Sequence, residues 1–351
     1  MTWGSHGAKR DEHILETAMR RSRLLLLLAA ALPLTVATTS APTYTVAQSI
    51  AGPDGPWDYA RADADGAHLY VARGTSVTVV DLATGAVSSL GAVQRGHAAV
   101  PLPGGKLLVT SGTDGTVRLI DLASGSETAR IPVGKKPDAA ILNADKTRAF
   151  IMNAESGTVS VIDLASANVT KTIPVKPGLE YAALGADGTL FVNNEDANEV
   201  DVVDVAHGST GKPIALPGCS GPTGLAYDKG HDRLIAACAN GKAAIVDVHK
   251  RQLAGLVAIG AGPDAVLLDD ARGLAFIPCG KDGVLDILSL AGPKVTHVGT
   301  VKTAVGARTG ALDPKTGTIY LPTADFGGPA APGARPAMVP GSFRILVVKR
   351  T

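Results

Sequence analysis

Six ionisable side chains recur along the sequence, roughly one in every 40 residues, and would form a concentrated site if the fold brought them together. They are Asp58, His97, Asp138, Glu180, Asp264 and Arg308. Several carboxylates around one point can hold a hard divalent cation, and an imidazole among carboxylates can ligate a transition metal or transfer protons. The sequence has no HxH, HxxxH, HExxH or GxSxG spacing, so these six residues do not by themselves select a metal or a reaction.

An internal repeat predicts the elements that would position these residues. Five segments align without gaps and share one acid: VTVVDLATG, VRLIDLASG, VSVIDLASA, VDVVDVAHG and AAIVDVHKR, with Asp81, Asp121, Asp163, Asp204 and Asp247. Weaker copies read LDILSLAGP and FRILVVKRT, and successive copies are 40, 42, 41, 43, 42 and 58 residues apart. The shared acid is predicted to accept hydrogen bonds from the turn that follows it, which is a structural role.

Within each period, short runs of alternating apolar residues are bounded by Gly, Asn, Asp and Pro, which favours β-strands. The third period shows four such runs, at 138–142, 148–153, 159–164 and 169–175. Seven such periods predict an all-β fold, a seven-bladed β-propeller of four-stranded blades. The last period supplies only three runs, so the strand at 44–50 is expected to pair into the last blade and close the ring.

Three segments each join a Tyr-Val-Thr-Asn-like strand to a Val-x-Val-Ile-Asp-like strand: LYVARG with TSVTVVDL at 69–82, FIMNAESGTVSVIDL at 150–164 and LFVNNEDANEVDVVDV at 190–205. Through them the repeat resembles the YVTN β-propeller repeat family, in particular its secreted YncE-like members. CSGPTGLAYD, ARTGALDPKTG, LPTADFG and MVPGSF extend it through the carboxyl half, so it covers about residues 43–351. The resemblance implies the propeller fold and says little about function, since propellers host many activities.

In a propeller, the innermost strands of all blades begin on the same face, and each of the six ionisable residues opens one of them. We therefore expect Asp58, His97, Asp138, Glu180, Asp264 and Arg308 to converge on the mouth of the central channel, as a ligand site or as a solvated ring. The proline-rich stretch at 325–342 explains the 58-residue spacing and is expected on the same face. It would be a flap over the mouth or a mobile surface loop.

Two of the three cysteines are placed for a disulfide. Cys219 precedes the innermost strand of the fifth blade and Cys238 ends the next strand, so both should lie at the mouth face. Cys279 occupies the position of Cys238 in the sixth blade and is expected to be the free thiol, although it could compete as a partner.

The amino terminus is typical of a secretory signal. Arg20, Arg21 and Arg23 precede the apolar run LLLLLAAAL, and small residues follow it. We therefore predict a signal region at 1–37 and a single propeller domain at 38–351. Residues 1–18 would be an over-extended start before Met19, or else a long amino-terminal region of the signal. The run is too short to span a bilayer, so a soluble, monomeric, periplasmic or secreted protein is expected.

The predicted function is non-catalytic binding, with a small molecule or a protein partner at the channel mouth and a divalent cation as one candidate cofactor. Nucleic acid is not expected as a partner, because 33 basic and 32 acidic residues leave no basic groove and aromatics make up only 4%. The alternative is a propeller hydrolase or lyase of the lactonase type. There His97 would be the acid–base group, with Asp138, Glu180 and Asp264 orienting it or holding a metal ion.

Overall fold

The structure is a computed structural model that describes residues 43–328 and 336–351. The predicted signal region at 1–37, and residues 329–335 of the predicted flap, lie outside the described residues. No helix in the described part of the chain is both long and apolar enough to cross a membrane.

The described strands form seven antiparallel sheets, which are the blades of a seven-bladed β-propeller. The strand that precedes the first blade is β1 (Tyr44–Ala51). The first blade contains β2 (Trp57–Ala62), β3 (His68–Arg73), β4 (Val77–Asp81) and β5 (Val87–Leu90). The second contains β6 (Gly96–Leu102), β7 (Lys106–Ser111), β8 (Thr116–Asp121) and β9 (Glu127–Pro132). The third contains β10 (Pro137–Leu142), β11 (Arg148–Asn153), β12 (Thr158–Asp163) and β13 (Asn168–Pro174).

The fourth blade contains β14 (Leu179–Leu184), β15 (Leu190–Asn194) and β16 (Glu199–Asp204), with an outer edge divided into β17 (Ser209–Thr210) and β18 (Ile214–Ala215). The fifth contains β19 (Pro222–Asp228), β20 (Arg233–Cys238), β21 (Lys242–Asp247) and β22 (Gln252–Ala258). The sixth contains β23 (Leu267–Asp269), β24 (Leu274–Cys279), β25 (Val284–Ser289) and β26 (Thr296–Lys302). The seventh contains β27 (Ala311–Leu312), β28 (Ile319–Thr323) and β29 (Arg344–Arg350).

The ring closes through strands from both ends of the chain. β1 pairs antiparallel with β29, from Tyr44 opposite Arg350 to Ala51 opposite Arg344, and completes the seventh blade. The Tyr44 ring also packs edge-on against Phe276 of the sixth blade at 5.0 Å. The predicted fold and its closure are therefore confirmed, and no edge of the seventh sheet is left without its fourth strand.

The core lies between the blades, because each sheet is covered on both faces by its neighbours. In β11 the five residues after Arg148 are all buried, whereas the outer strand β13 alternates between exposed and covered residues. This difference explains why the middle strands have continuous apolar sequences and the outer strands have alternating ones.

The repeated acid has the predicted structural role in a turn. Asp81 Oδ1 accepts hydrogen bonds from the backbone N–H groups of Ala83 and Thr84 and from the Thr84 hydroxyl. These bonds hold the pKa of the Asp81 carboxyl below its usual value. Gly85 completes the turn with a φ of 75°, which favours glycine.

Candidate ligand site at the channel mouth

Four of the six predicted site residues occupy the same position in their blades. Asp58, His97, Asp138 and Glu180 are each the second residue of an innermost strand. Asp264 precedes β23 by three residues and Arg308 precedes β27 by three, so the expectation that they open those strands is wrong.

The innermost strands of the last two blades therefore start later than the sequence pattern suggested. In the sixth blade an isolated bridge between Pro263 and Cys279 keeps the backbone in register, although Pro263 itself has no N–H for the ladder. Asp264 thus follows a residue paired with β24, as Asp138 follows Pro137, which is paired with β11.

Hydrogen bonds between adjacent blades hold the backbone of this ring. The Thr110 hydroxyl in the second blade donates to the Asp138 carbonyl at 2.9 Å, and the Thr309 hydroxyl in the seventh donates to the Asp58 carbonyl at 2.9 Å. The Thr223 hydroxyl, at the fifth position of the ring, donates to the Pro263 carbonyl at 3.0 Å. These bonds cross the joints between blades, so they limit how far neighbouring ring residues can separate.

His97 lies between two carboxylates. Its Nδ1 is 2.6 Å from Asp58 Oδ2 and 3.6 Å from Asp138 Oδ1. His97 as a whole is only 6% exposed. Burial by itself would lower the pKa of His97, but the hydrogen bond with Asp58 and the charge of Asp138 raise it above its ordinary value. One ligand atom from each of the three residues lies within 4.8 Å of the others, which is close enough to hold one metal ion.

Glu180 is held in an environment that favours its neutral form. It is 9% exposed, and the Tyr59 hydroxyl donates to its Oε2 at 3.3 Å. Burial, together with the negative charges of Asp138 and Asp264, raises the pKa of Glu180 to about 10. At neutral pH the Glu180 carboxyl is therefore protonated when nothing else compensates its charge.

Burial also raises the pKa values of Asp138 and Asp264, but positively charged neighbours oppose part of each shift. Burial raises the pKa of Asp138 to about 6, although His97 opposes the shift and Lys136 Nζ lies 3.4 Å from the carboxylate. Burial raises the pKa of Asp264 to about 7, although the Arg308 guanidinium donates to it at 2.7 Å. Arg308 and Lys136 therefore compensate part of the negative charge of the ring.

The site contains four carboxyl groups against two permanent cations and one histidine. All four acids act on the same phenol: burial, and then their charges, raise the pKa of Tyr59 well above its usual value. All four acids therefore lie close enough to Tyr59 to influence it, and Glu180 contacts it directly. The arrangement suits a ligand that carries positive charge, which would allow the carboxyls to ionise.

Sequence reasoning missed Tyr59 and Lys136. Tyr59 directly follows Asp58, and its ring packs edge-on against Tyr181 at 4.9 Å. Lys136 lies two residues before Asp138 and takes a φ of 50°, which turns the chain just before β10. The position of Tyr59 next to Asp58 could have marked it as a candidate site residue. The directions of the Tyr59 and Lys136 side chains, however, are decided by packing.

The predicted flap is described only at its two ends. The Phe326 ring lies 6.1 Å from the ring of Trp57, the residue before Asp58, and Phe326 forms a bridge with Met338. Asp325 pairs with Arg344 at 2.8 Å. The ends of this segment thus pack beside the first blade, and coverage of the mouth by 325–342 stays a prediction.

The cysteines lie at the start of the fifth blade and the ends of two second strands. Cys219 and Cys238 are joined by a disulfide, with their Cα atoms 5.4 Å apart. Cys279 is free and buried, and its thiol lies 3.6 Å from Asp286 Oδ2. Burial and the Asp286 charge raise the pKa of the Cys279 thiol, so it is a poor nucleophile.

Comparison with known proteins supports the fold alone. No known protein-family model matches this chain, and no curated protein matches it in sequence. Among solved structures, hydrazine synthase of Kuenenia stuttgartiensis is similar, with a TM-score of 0.67 and 17% identity over 75% of this chain and 91% of that chain. A chain of the mitotic checkpoint complex is similar with a TM-score of 0.73 and 14% identity, over 94% of this chain and 99% of that chain. The class that these similarities define is the seven-bladed β-propeller.

Proposed function

We propose that this protein is a periplasmic or secreted, YncE-like β-propeller that binds a positively charged ligand at the channel mouth without catalysing a reaction. A divalent cation, alone or as part of a small ligand, is the first candidate for that ligand. The mature chain, 38–351, would act as a monomer after removal of the predicted signal region. Secretion and the family resemblance rest on the sequence, whereas the propeller fold is consistent with a binding role.

One observation carries the proposal: Asp58, His97 and Asp138 offer ligand atoms within 4.8 Å of one another. Beside them, burial raises the pKa of Glu180 to about 10 and that of Asp264 to about 7. Carboxylate oxygens with one imidazole suit Ca²⁺ or Mn²⁺, and also Zn²⁺. Binding would displace the proton from His97 and allow Asp138 and Asp264 to ionise. Affinity should therefore increase with pH, and protons should be released on binding.

Calorimetric titration of chelator-treated protein with Ca²⁺, Mn²⁺ and Zn²⁺ tests this proposal, with proton release measured in two buffers of different ionisation enthalpy. We expect one site per chain, lost or weakened at least about tenfold in His97→Gln and Asp138→Asn, because each removes one direct ligand. Matched controls are His207→Gln, an exposed histidine, and Asp163→Asn, a turn acid. If no cation binds, or if the mouth variants bind as well as the controls, the proposal is wrong.

A propeller hydrolase or lyase of the lactonase type is the second candidate, and the contact between His97 and Asp58 favours it. That pair, 2.6 Å apart, lies beside a carboxyl whose pKa is about 6, which is close to the value a general acid or base needs. Turnover of a lactone panel by the wild type, abolished in His97→Gln and kept in His207→Gln, would support this function. Cation binding without turnover would support the binding protein instead.

A further inference from the structure

A cavity with a volume of about 1470 Å³ lies at the other end of the ring. It is lined by residues of the innermost strands β2, β6, β10, β14, β23 and β27, by residues of β3, β4 and β5, and by turns that include the one between β8 and β9. None of the six mouth residues lines it. Because the innermost strands all begin at the mouth, their final residues lie on the opposite face. We call this cavity the opposite-end cleft.

Many residues that line the opposite-end cleft are apolar, and five are charged: Arg61, Asp63, Asp65, Asp121 and Lys146. Arg61 of β2 pairs with Tyr70, and the residues at the same level of β6, β10 and β23 are Val100, Ile141 and Leu267. The half-buried side chains of Leu102, Leu142 and Leu312 also line the cleft. An apolar wall with a few fixed polar groups is the usual composition of a small-molecule site.

The Arg61 guanidinium has few protein partners. Its Nη2 donates to the Tyr181 hydroxyl at 2.6 Å, and among the described residues no carboxylate lies within 4.0 Å of it. A guanidinium has five N–H donors in a planar fork that matches a carboxylate, so most of these donors remain available. Tyr181 accepts the bond from Arg61 and keeps its own O–H to donate.

The aromatic rings of Tyr181 and Tyr59 close the inner side of the hydrogen-bonded pair Arg61 and Tyr181. Tyr181 packs edge-on against Tyr59, whose hydroxyl donates to Glu180 of the mouth. Tyr59 lines the opposite-end cleft and contacts the mouth site, so it separates the two regions. Arg61 and Tyr181 thus lie near the inner end of the cleft.

The acids around the cleft are occupied by their own turns. Asp63 accepts hydrogen bonds from the backbone N–H and Nδ1 of His68, and Asp65 accepts one from the Ala67 N–H. Asp121 accepts bonds from Ser124 in the repeated turn. These acids are held in their turns, so Arg61 and Lys146 are the cations among the lining residues, and Arg61 is the one that contacts Tyr181.

We propose that the opposite-end cleft binds a small carboxylate with an apolar body. The carboxylate would accept a bidentate pair of hydrogen bonds from Arg61 and a further bond from the Tyr181 hydroxyl, while the apolar body packs against the leucines of the wall. This site is separate from the cation site proposed at the mouth and does not depend on it.

Titration with octanoate, octanol and octylammonium tests this proposal on the mature chain by calorimetry. Octanoate should bind, and the alcohol and the amine should bind at least about tenfold more weakly, because only the carboxylate completes the Arg61 fork. Arg61→Met should weaken octanoate binding at least about tenfold, whereas Arg61→Lys and Tyr181→Phe should weaken it less. Arg148→Met, an exposed arginine outside the cleft, is the matched control and should bind octanoate as the wild type does.

Other outcomes would overturn the proposal. If octanoate does not bind, or if Arg61→Met binds it as well as Arg148→Met does, Arg61 is not the recognition group. If octanol or octylammonium binds as tightly as octanoate, the ligand class is wrong. Should Arg61→Met fail to fold, unchanged affinity in both Arg61→Lys and Tyr181→Phe would have the same meaning. Loss of octanoate binding in His97→Gln would place the ligand at the mouth and refute a separate site.

Discussion

Replacing Glu180 by Gln should make the ligand-free protein more stable at neutral pH. Glu180 is 9% exposed, and burial and two neighbouring acids raise its pKa to about 10. In the unfolded chain the same carboxyl is ionised at pH 7, so folding must supply a proton or bury a charge. Gln has no such requirement, and its side-chain oxygen can still accept the hydrogen bond from Tyr59.

The magnitude follows from proton linkage. A carboxyl whose pKa is raised on folding contributes its full stability below the unfolded value and loses it as pH increases toward the folded value. From an unfolded pKa of about 4.3 to pH 7, at about 1.4 kcal/mol per pH unit, the loss is about 3 to 4 kcal/mol. The Gln variant should regain most of this free energy of unfolding. That gain corresponds to an increase of roughly 6 °C in melting temperature, at about 2 °C per kcal/mol. At pH 5 the difference should fall below about 1 kcal/mol.

Thermal and urea unfolding between pH 5 and 8.5, with a chelator present, measures this difference. The matched control is Glu155→Gln, which alters an exposed glutamate whose side chain is 64% accessible and should leave stability unchanged. If Glu180→Gln and Glu155→Gln melt alike at every pH, Glu180 is not held neutral, and the electrostatic account of the mouth is wrong. With a binding cation added, both the wild type and Glu180→Gln should become more stable by mass action, because Asp58, His97 and Asp138 are intact in each.

Two further predictions concern the closure of the ring by β1 and the disulfide at the fifth blade. Deleting residues 43–51 should lower the melting temperature by more than about 10 °C or produce oligomers, because β29 loses its partner strand; an unchanged monomeric melt would contradict this. Replacing Cys219 and Cys238 together by Ser should lower the free energy of unfolding by about 3 kcal/mol in the chain-entropy model, since the bond closes a loop across 19 positions. A peptide map of unreduced protein that joins Cys238 to Cys279 would refute that pairing.

The fold could be predicted from the sequence because its signals are local and repeated. The acid of each VIDL-like segment ends a strand in every one of the first five blades, from Asp81 to Asp247, and the turn after it forms within a few residues. Identical periods then stack radially, and an unpaired strand at one end of the chain has one free edge to join, which β1 does. Neither the propeller fold nor the closure of the ring by β1 required knowledge of side-chain directions.

What the sequence by itself determined was that Asp58, His97, Asp138 and Glu180 take the same position at the start of innermost strands, since the period repeats from blade to blade. Only the tertiary structure decided the contacts at the mouth: His97 contacts Asp58 and Asp138, and Arg308 contacts Asp264. It also decided what separates the mouth from the opposite-end cleft, where the ring of Tyr59 packs on Tyr181. The physical reason is that strand periodicity is a property of the local backbone, whereas these contacts depend on rotamers, burial and charges contributed by blades distant in sequence.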